Sequence, residues 1–306
     1  MRIFVTGASG WIGSAVVPEL LNAGHKVFGL ARSDAAAASI AALGAGVHRG
    51  GLDDPDSLRA GAEASDGVVH LAYVHDFSRM ADAAATDRRA IEAIGAALEG
   101  TERPFVIASG TLGLAPAGQV GTERDGADPA THPRIANAQL ALSYAANGVR
   151  SAVVRFAPTV HGAGDHGFVA TLVGIARETG VSGYVGDGGN RWSAVHRLDA
   201  ADLVRRVVED ASAGSVWHAV AEEGVPTRAI AEAIGRQLDL PVVSVPPEQA
   251  SDHFGWLGAF FAMDSPASND ITRELLGWQP NRPGLIEDLD EGHYFTPGPA
   301  DAFGTV

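Results

Sequence analysis

The chain opens on β-branched and aromatic residues, Ile3-Phe4-Val5, meets a turn studded with glycine, and continues with apolar residues at helical spacing: Ala15, Val16, Leu20 and Leu21. That change of period predicts a buried strand, a tight turn and an amphipathic helix. The alternation then repeats. Apolar runs over 27–30, 47–50, 67–72, 104–108 and 149–156 predict five more strands, and helices are predicted over 34–43, from Pro55 onward, over 81–98 and over 133–146. Pro55 suits a first helical position, where a missing N–H costs nothing. Strands alternating with helices in this way predict an α/β fold, a doubly wound parallel sheet covered on both faces.

Beyond residue 160 the alternation loosens. Helices are predicted over 168–177, 200–208 and 227–238, the last with Thr227 as its cap, and strand-like runs over 216–219 and 242–245. The expected organisation is a nucleotide-binding unit over 1–160. Residues 161–306 then form mostly a smaller, discontinuous C-terminal substrate lobe, some of whose segments return to the main sheet.

Composition narrows the class. With 46% hydrophobic and 19% charged residues in 306, the chain can bury a full core. No apolar run reaches membrane-spanning length, and the amino terminus enters a strand without a basic segment or cleavage site, so a soluble, cytoplasmic protein is expected. The absence of cysteine excludes disulfides and thiolate metal sites, and no metal site is predicted. A net charge of −15 disfavours nucleic acid and anionic membranes as partners and leaves a small molecule as the expected one. An anionic cofactor can still bind, because its site is local.

The turn between the first strand and helix, Thr6-Gly7-Ala8-Ser9-Gly10-Trp11-Ile12-Gly13, points to such a cofactor. Gly7 allows the tight turn, Gly10 lets backbone approach a pyrophosphate, and Gly13 allows close helix–strand packing, the combination of a dinucleotide-binding Rossmann fold. The helix start adds free N–H groups and a positive dipole end. About twenty residues past the glycines an NAD site wants an acid for the ribose 2′-hydroxyl, and here stand Ala31, Arg32 and Ser33 instead. A guanidinium and a hydroxyl suit a 2′-phosphate, so NADP is expected over NAD. Strand ends on this edge of the sheet border the ligand crevice, which makes Tyr73 and His75 candidates there, and likewise Ser109 and Thr111, whose hydroxyls either bond a reacting carbonyl or cap the turn.

The chain resembles the extended short-chain dehydrogenase/reductase superfamily. Three segments carry the likeness: Thr6 to Gly13 as TGxxGxxG, Arg155-Phe156-Ala157-Pro158 with His161-Gly162, and Glu274-Leu275-Leu276-Gly277-Trp278-Gln279-Pro280 as the carboxy-terminal signature. The resemblance implies that Gly7, Ser9, Gly10, Trp11, Ile12 and Gly13 surround the pyrophosphate, Arg32 and Ser33 the adenosine phosphate, and Leu52 the adenine. Leu71, Ala72 and Tyr73 would run beside the second ribose, and Pro158, Thr159, Val160 and His161 would meet the nicotinamide. In that superfamily a serine or threonine after the fifth strand and a YxxxK pair perform the proton chemistry. This chain has no YxxxK. The lysine position falls on Arg134, the tyrosine position on Ala130 and the usual serine position on Gly110, between Ser109 and Thr111, so the chain resembles an atypical subgroup.

Arg134 could bond the nicotinamide ribose and supply positive charge to a developing alkoxide, but a guanidinium holds its proton too tightly to be a good proton donor. His132 titrates near neutrality and is one candidate acid; Tyr73 is the other. His161 and His166 are expected at the same entrance. Phe168, Trp192, Phe254, Trp256, Phe260 and Phe261 concentrate aromatic surface in the second half. Most are expected in the core, and a few lining a cleft would suit a small, largely apolar carbonyl or alcohol. The expected activity is hydride transfer between NADP(H) and such a substrate. Epimerase or dehydratase chemistry and a dinucleotide-sensing regulator remain as alternatives, and relatives suggest a homodimer through helices 81–98 and 133–146.

Overall fold

β1 (Arg2–Thr6) runs through the middle of the molecule, and Ile3, Phe4, Val5 and Thr6 are all buried. The computed structural model describes residues 1–74, 79–126 and 133–296. To one side of β1 lie β2 (Lys26–Ala31) and β3 (Gly46–Arg49); to the other lie β4 (Gly67–His70), β5 (Pro104–Gly110) and β6 (Arg150–Phe156). β10 (Ser215–Ala219) completes a seven-stranded sheet in the order β10-β6-β5-β4-β1-β2-β3, with every pairing parallel. The chain winds outward from β1 to β3 and then returns to β4, so strand order reverses between β1 and β4. Ligands of such sheets bind outside the carboxyl ends of the strands at this point. Register Thr6↔His70 brings the last residues of β1 and β4 side by side there.

Helices cover both faces: α1 (Gly13–Asn22), α2 (Asp34–Ala42), α3 (Pro55–Glu63), α4 (Met80–Leu98) and α5 (Pro133–Ser143). α1 buries Ala15, Val16, Val17 and Leu20 on one stripe, the 3.6-residue face expected of it. α4 turns Ala83, Ala84, Ala90, Ile91, Ile94 and Leu98 inward, and among these apolar residues it also buries the carboxylate of Asp87. No helix of the described residues is long and apolar enough to cross a membrane.

The second half builds two small sheets. β7 (Thr159–His161) and β9 (Arg191–His196) pair in parallel, and β11 (Glu222–Pro226) joins β9 antiparallel; β8 (Ser182–Val185) pairs with β12 (Val242–Val245). α6 (Phe168–Thr179), α8 (Thr227–Leu238) and the short α9 (Ala250–Phe254), α10 (Gly258–Phe261) and α12 (Leu285–Asp290) surround a core holding Trp192, Phe254, Leu257 and Phe261. α7 (Arg197–Asp210) packs instead on α1, and β10 after it enters the main sheet. Two local expectations change. Thr227 is the first residue of α8 rather than its cap, and its hydroxyl donates to Asn190 Oδ1 at 2.7 Å. α7 starts three residues before the predicted 200, because the His196 ring caps it by accepting the Leu198 N–H at 3.2 Å.

α11 (Asp270–Leu276) closes the edge beside β10, where His218 is fully buried. Its Nδ1 donates to the Ser268 carbonyl at 2.7 Å, and its Nε2 accepts from Arg155 at 3.4 Å. Burial lowers the imidazole pKa from 6.5 to about 4. A histidine held neutral in the fold stabilises it fully above pH 6.5, and that stability is lost as pH falls toward 4, because the unfolded chain takes the proton first. The wild type should therefore lose on the order of 3 kcal/mol across that window. His218→Gln should flatten the dependence in urea titrations run at several pH values; an equally steep curve in the variant would place the acid sensitivity elsewhere.

Candidate active site

The glycine turn has the geometry its sequence requires. Gly7 is left-handed with φ +70°, and a Cβ there would stand 2.7 Å from the Ala72 N, so the turn lies directly against the end of β4. A Cβ on Gly13 would come within 2.0 Å of the Gly7 carbonyl oxygen, whereas one on Gly10 meets only that oxygen, at 3.2 Å. Gly13 is thus required by the fold, and Gly10 keeps open the space beyond the turn. α1 also differs from its neighbours at its start. Ser33 caps α2 and Asp54 caps α3, while among the described residues no side chain caps α1. Uncapped N–H groups behind a glycine turn fit a dinucleotide pyrophosphate.

At the adenosine end, Arg32 is exposed just past β2 and makes no ion pair among the described residues. The Ser33 hydroxyl accepts the Ala36 N–H at 3.2 Å as the α2 cap, which leaves its O–H to donate. Leu52 is half-buried beside the core under β2 and β4.

Behind the crevice runs a buried polar chain that the sequence reading missed. The Ala72 N–H donates to Thr6 Oγ1 at 3.2 Å, the Thr6 hydroxyl lies 2.8 Å from His70 Nδ1, and His70 Nε2 lies 3.0 Å from Asp87 Oδ1. Because a carboxylate only accepts, the network assigns the imidazole proton to Nε2 and leaves Nδ1 to accept from Thr6. The second Asp87 oxygen accepts from Asn137 Nδ2 at 2.7 Å, and the same amide donates to the Ala84 carbonyl at 2.9 Å. Burial pushes the Asp87 carboxyl up, but the bonds from His70 and Asn137 and the charge of Arg134 outweigh it and hold the pKa below the ordinary range.

Arg134, one helical turn before Asn137 on α5, places its guanidinium 4.3 Å from the centre of the Tyr73 ring. Its Nε is shielded from solvent. Burial lowers the guanidinium pKa, opposed by Asp87 and Tyr73; burial likewise raises the Tyr73 phenol, opposed by Arg134. The phenol therefore stays protonated at neutral pH. The structure brings Tyr73 and Arg134 together at the end of β4. His75, Ala130 and His132 lie outside the described residues.

On the β5 side, the expectation for the hydroxyls changes. Thr111 is buried and its hydroxyl sits 3.2 Å from Ser193 Oγ and 3.4 Å from the Phe156 carbonyl, which ties β5 to β9. Ser109 is buried as well. Gly110, between them, is exposed, and a Cβ there meets only the Phe156 carbonyl at 3.9 Å. The position that would carry the usual serine is open.

Past β6, Pro158 and Val160 are half-buried and Thr159 is fixed inward by donating to the Ser193 carbonyl at 2.7 Å. The Val160 carbonyl accepts from Trp11 Nε1 at 2.8 Å, joining this segment to the glycine turn. His161 does not face the entrance. Its ring is fully buried, with Nδ1 bonded to Asp288 at 2.9 Å, and Asp288 also bonds His293 at 2.9 Å. His166 packs edge-on against Trp11, with ring centres 5.7 Å apart. Ile12 is half-buried and Ser9 exposed on the turn.

The aromatic residues divide into two groups. Trp192, Phe254 and Phe261 are core, while Phe168, Trp256 and Phe260 form a cluster with ring centres 5.6 to 6.3 Å apart, in which Trp256 is 45% exposed. Phe168 also meets Trp192 at 5.5 Å, next to the Ser193 that holds Thr111.

Residues 3–220 match the NAD dependent epimerase/dehydratase family. The chain belongs to that family, within the extended short-chain dehydrogenase/reductase superfamily. An uncharacterized protein of Schizosaccharomyces pombe is 48% identical over 295 residues, covering 96% of this chain and 100% of its own, and one of Saccharomyces cerevisiae is 48% identical over 292, covering 94% and 98%. Among solved structures, the dTDP-glucose 4,6-dehydratase DesIV of Streptomyces venezuelae, determined with NAD bound, shares the fold with a TM-score of 0.75. Its identity is 19% over 96% of each chain. Family and fold together define an NAD(P)-binding protein of oxidoreductase type.

Proposed function

We propose that the protein is an NADP(H)-dependent oxidoreductase acting on a small, largely apolar carbonyl or alcohol. The observation that carries this reading is the half-buried Arg134 side chain, its guanidinium over the Tyr73 ring at the reversal point of the sheet, backed by the Asp87–His70–Thr6 chain. A bound nicotinamide would supply or accept the hydride. The turn 7–13 would hold the pyrophosphate, and Arg32 the 2′-phosphate. Arg134 would stand near the ribose and the substrate oxygen, where a preorganised cation stabilises developing negative charge. Tyr73, kept protonated by burial, would donate to that oxygen in reduction. The Phe168–Trp256–Phe260 cluster supports an apolar substrate wall. Lys26, the only lysine in the chain, begins β2 and cannot take the usual lysine's place.

Titration of the protein with NADPH, then absorbance at the nicotinamide band with a panel of aldehydes and ketones, tests the reading. Cofactor binding with turnover of an apolar panel member supports it, and binding with no turnover by any member supports a dinucleotide sensor instead. Arg32→Ala should weaken NADPH about tenfold or more and leave NADH nearly unchanged, since a charge-assisted bond to phosphate is worth about 1.5–3 kcal/mol. An unchanged ratio of the two affinities would refute the NADP assignment.

A further inference from the structure

A cavity of about 500 Å³ opens between α1, α7 and the segment 279–282. That volume lies within the range of small-molecule sites. Three arginines line it: Arg197, Arg206 and Arg282. The carboxylates on its walls already have partners. Asp199 accepts the backbone N–H groups of Asn281 at 3.1 Å and Arg282 at 3.0 Å, Asp202 pairs with Arg206 at 2.8 Å, and Glu19 pairs with Arg205 at 2.8 Å. The guanidinium groups of Arg197 and Arg282 make no ion pair among the described residues. Neutral polar side chains complete the lining, among them Ser14, Asn22, Gln279 and Asn281.

The frame is rigid. Trp278 is fully buried and donates to the Asp199 carbonyl at 3.1 Å, so the 278–282 segment is clamped onto the first turn of α7. Arg197 leaves that turn and lies 4.2 Å over the Trp11 ring, which itself bonds Val160. One wall of the cavity is therefore in contact with the glycine turn.

We propose that this cavity binds a phosphorylated, hydroxyl-bearing metabolite of sugar-phosphate size, with Arg197 and Arg282 on the phosphate, and that its occupancy alters cofactor affinity through the Arg197–Trp11 stack. Two guanidinium forks match a phosphate dianion. The amide and hydroxyl side chains match a polyol, and the space exceeds what a bare phosphate fills. The coupling rests on the dinucleotide reading of the turn; the binding does not.

Calorimetry with glucose 6-phosphate, with inorganic phosphate and glucose as controls, tests both parts. Glucose 6-phosphate should bind more tightly than either control, with affinity reduced about tenfold or more in Arg282→Glu and in Arg282→Gln, as loss of charge-assisted bonds predicts. Arg282 is exposed, so both variants should fold as the wild type does. Binding should persist at saturating NADPH, and the NADPH affinity should shift with glucose 6-phosphate in the wild type and not in Arg282→Glu, by reciprocal linkage. Absence of heat, equal affinity in the variants, equal binding of glucose, or tighter binding of inorganic phosphate would overturn the site. So would displacement of glucose 6-phosphate by NADPH, which would place the phosphate in the glycine turn. An NADPH affinity indifferent to glucose 6-phosphate would overturn the coupling alone. A protein that binds no NADPH would defeat the proposed function, while the sugar-phosphate titration would still decide the cavity.

Discussion

Arg134→Leu should lower kcat/KM for carbonyl reduction by roughly two to three orders of magnitude, the usual effect of removing one preorganised group that stabilises an oxyanion. The fold should survive, because Asn137 anchors α5 to α4 by bonds to the Ala84 carbonyl and to Asp87. The loss should fall mainly on kcat, since the cation acts on charge that develops only as hydride is transferred. Arg134→Lys should recover part of the rate at neutral pH and lose it on raising the pH. Burial that already lowers the arginine pKa would lower a lysine's further into the accessible range, and the proton is then lost as pH rises through that value. Asp87→Asn should also reduce the rate, and the double variant Asp87→Asn/Arg134→Leu should be far from additive, as expected for charges that act on each other. Stopped-flow measurement of the hydride step in the wild type and the four variants checks this. A wild-type hydride rate in Arg134→Leu would remove Arg134 from the chemistry.

What was legible in the sequence was local. The glycine turn, the helix stripes of α1 and α4 and the strand runs announce themselves within windows of ten to twenty residues, because each is dictated by spacing along one element. Counting over short spans assigned the usual lysine and serine positions to Arg134 and Gly110, which lie on α5 and at the last residue of β5. The polar chain behind the crevice was illegible for the opposite reason. His70 reads as one more residue of a buried strand and Asp87 as one polar position in an alanine-rich helix. Only the parallel register Thr6↔His70 and the packing of α4 and α5 bring them, with Asn137, into one line. A faint signal existed: a carboxylate on an otherwise apolar helical stripe requires a buried partner. His161 misled for a related reason. Its neighbours in sequence place it at the entrance, while a carboxylate 127 residues away turns its ring into the lobe. Burial pushes the Asp288 carboxyl up, yet the two imidazoles outweigh it and hold the group charged. Ser33 also caps the N-terminus of α2, accepting the Ala36 N–H with one lone pair while its O–H remains able to donate, a second role that the sequence did not announce.

Gly13→Ala should destabilise the protein by about 3 kcal/mol or more, the upper end of overpacking penalties. Gly10→Ala should cost it well under about 1 kcal/mol. The two glycines stand three residues apart in one motif, and the fold uses them differently. At Gly13 the added carbon would lie 2.0 Å from the Gly7 carbonyl oxygen and 2.9 Å from the Ala8 Cα, both backbone atoms of the glycine turn, so α1 has to move off β1. At Gly10 the added carbon meets a single oxygen at 3.2 Å and otherwise projects into the space that a pyrophosphate would share. Melting temperature and cofactor affinity should therefore separate. Gly13→Ala should melt lower by roughly 6 °C or more and bind cofactor weakly because its turn is displaced. Gly10→Ala should melt within a degree or so of wild type and still lose roughly tenfold to a hundredfold in NADPH affinity, the equivalent of one or two charge-assisted backbone contacts. If Gly10→Ala bound NADPH as the wild type does, the pyrophosphate would not lie against this turn, and the assignment of the crevice would have to be abandoned even with the fold intact.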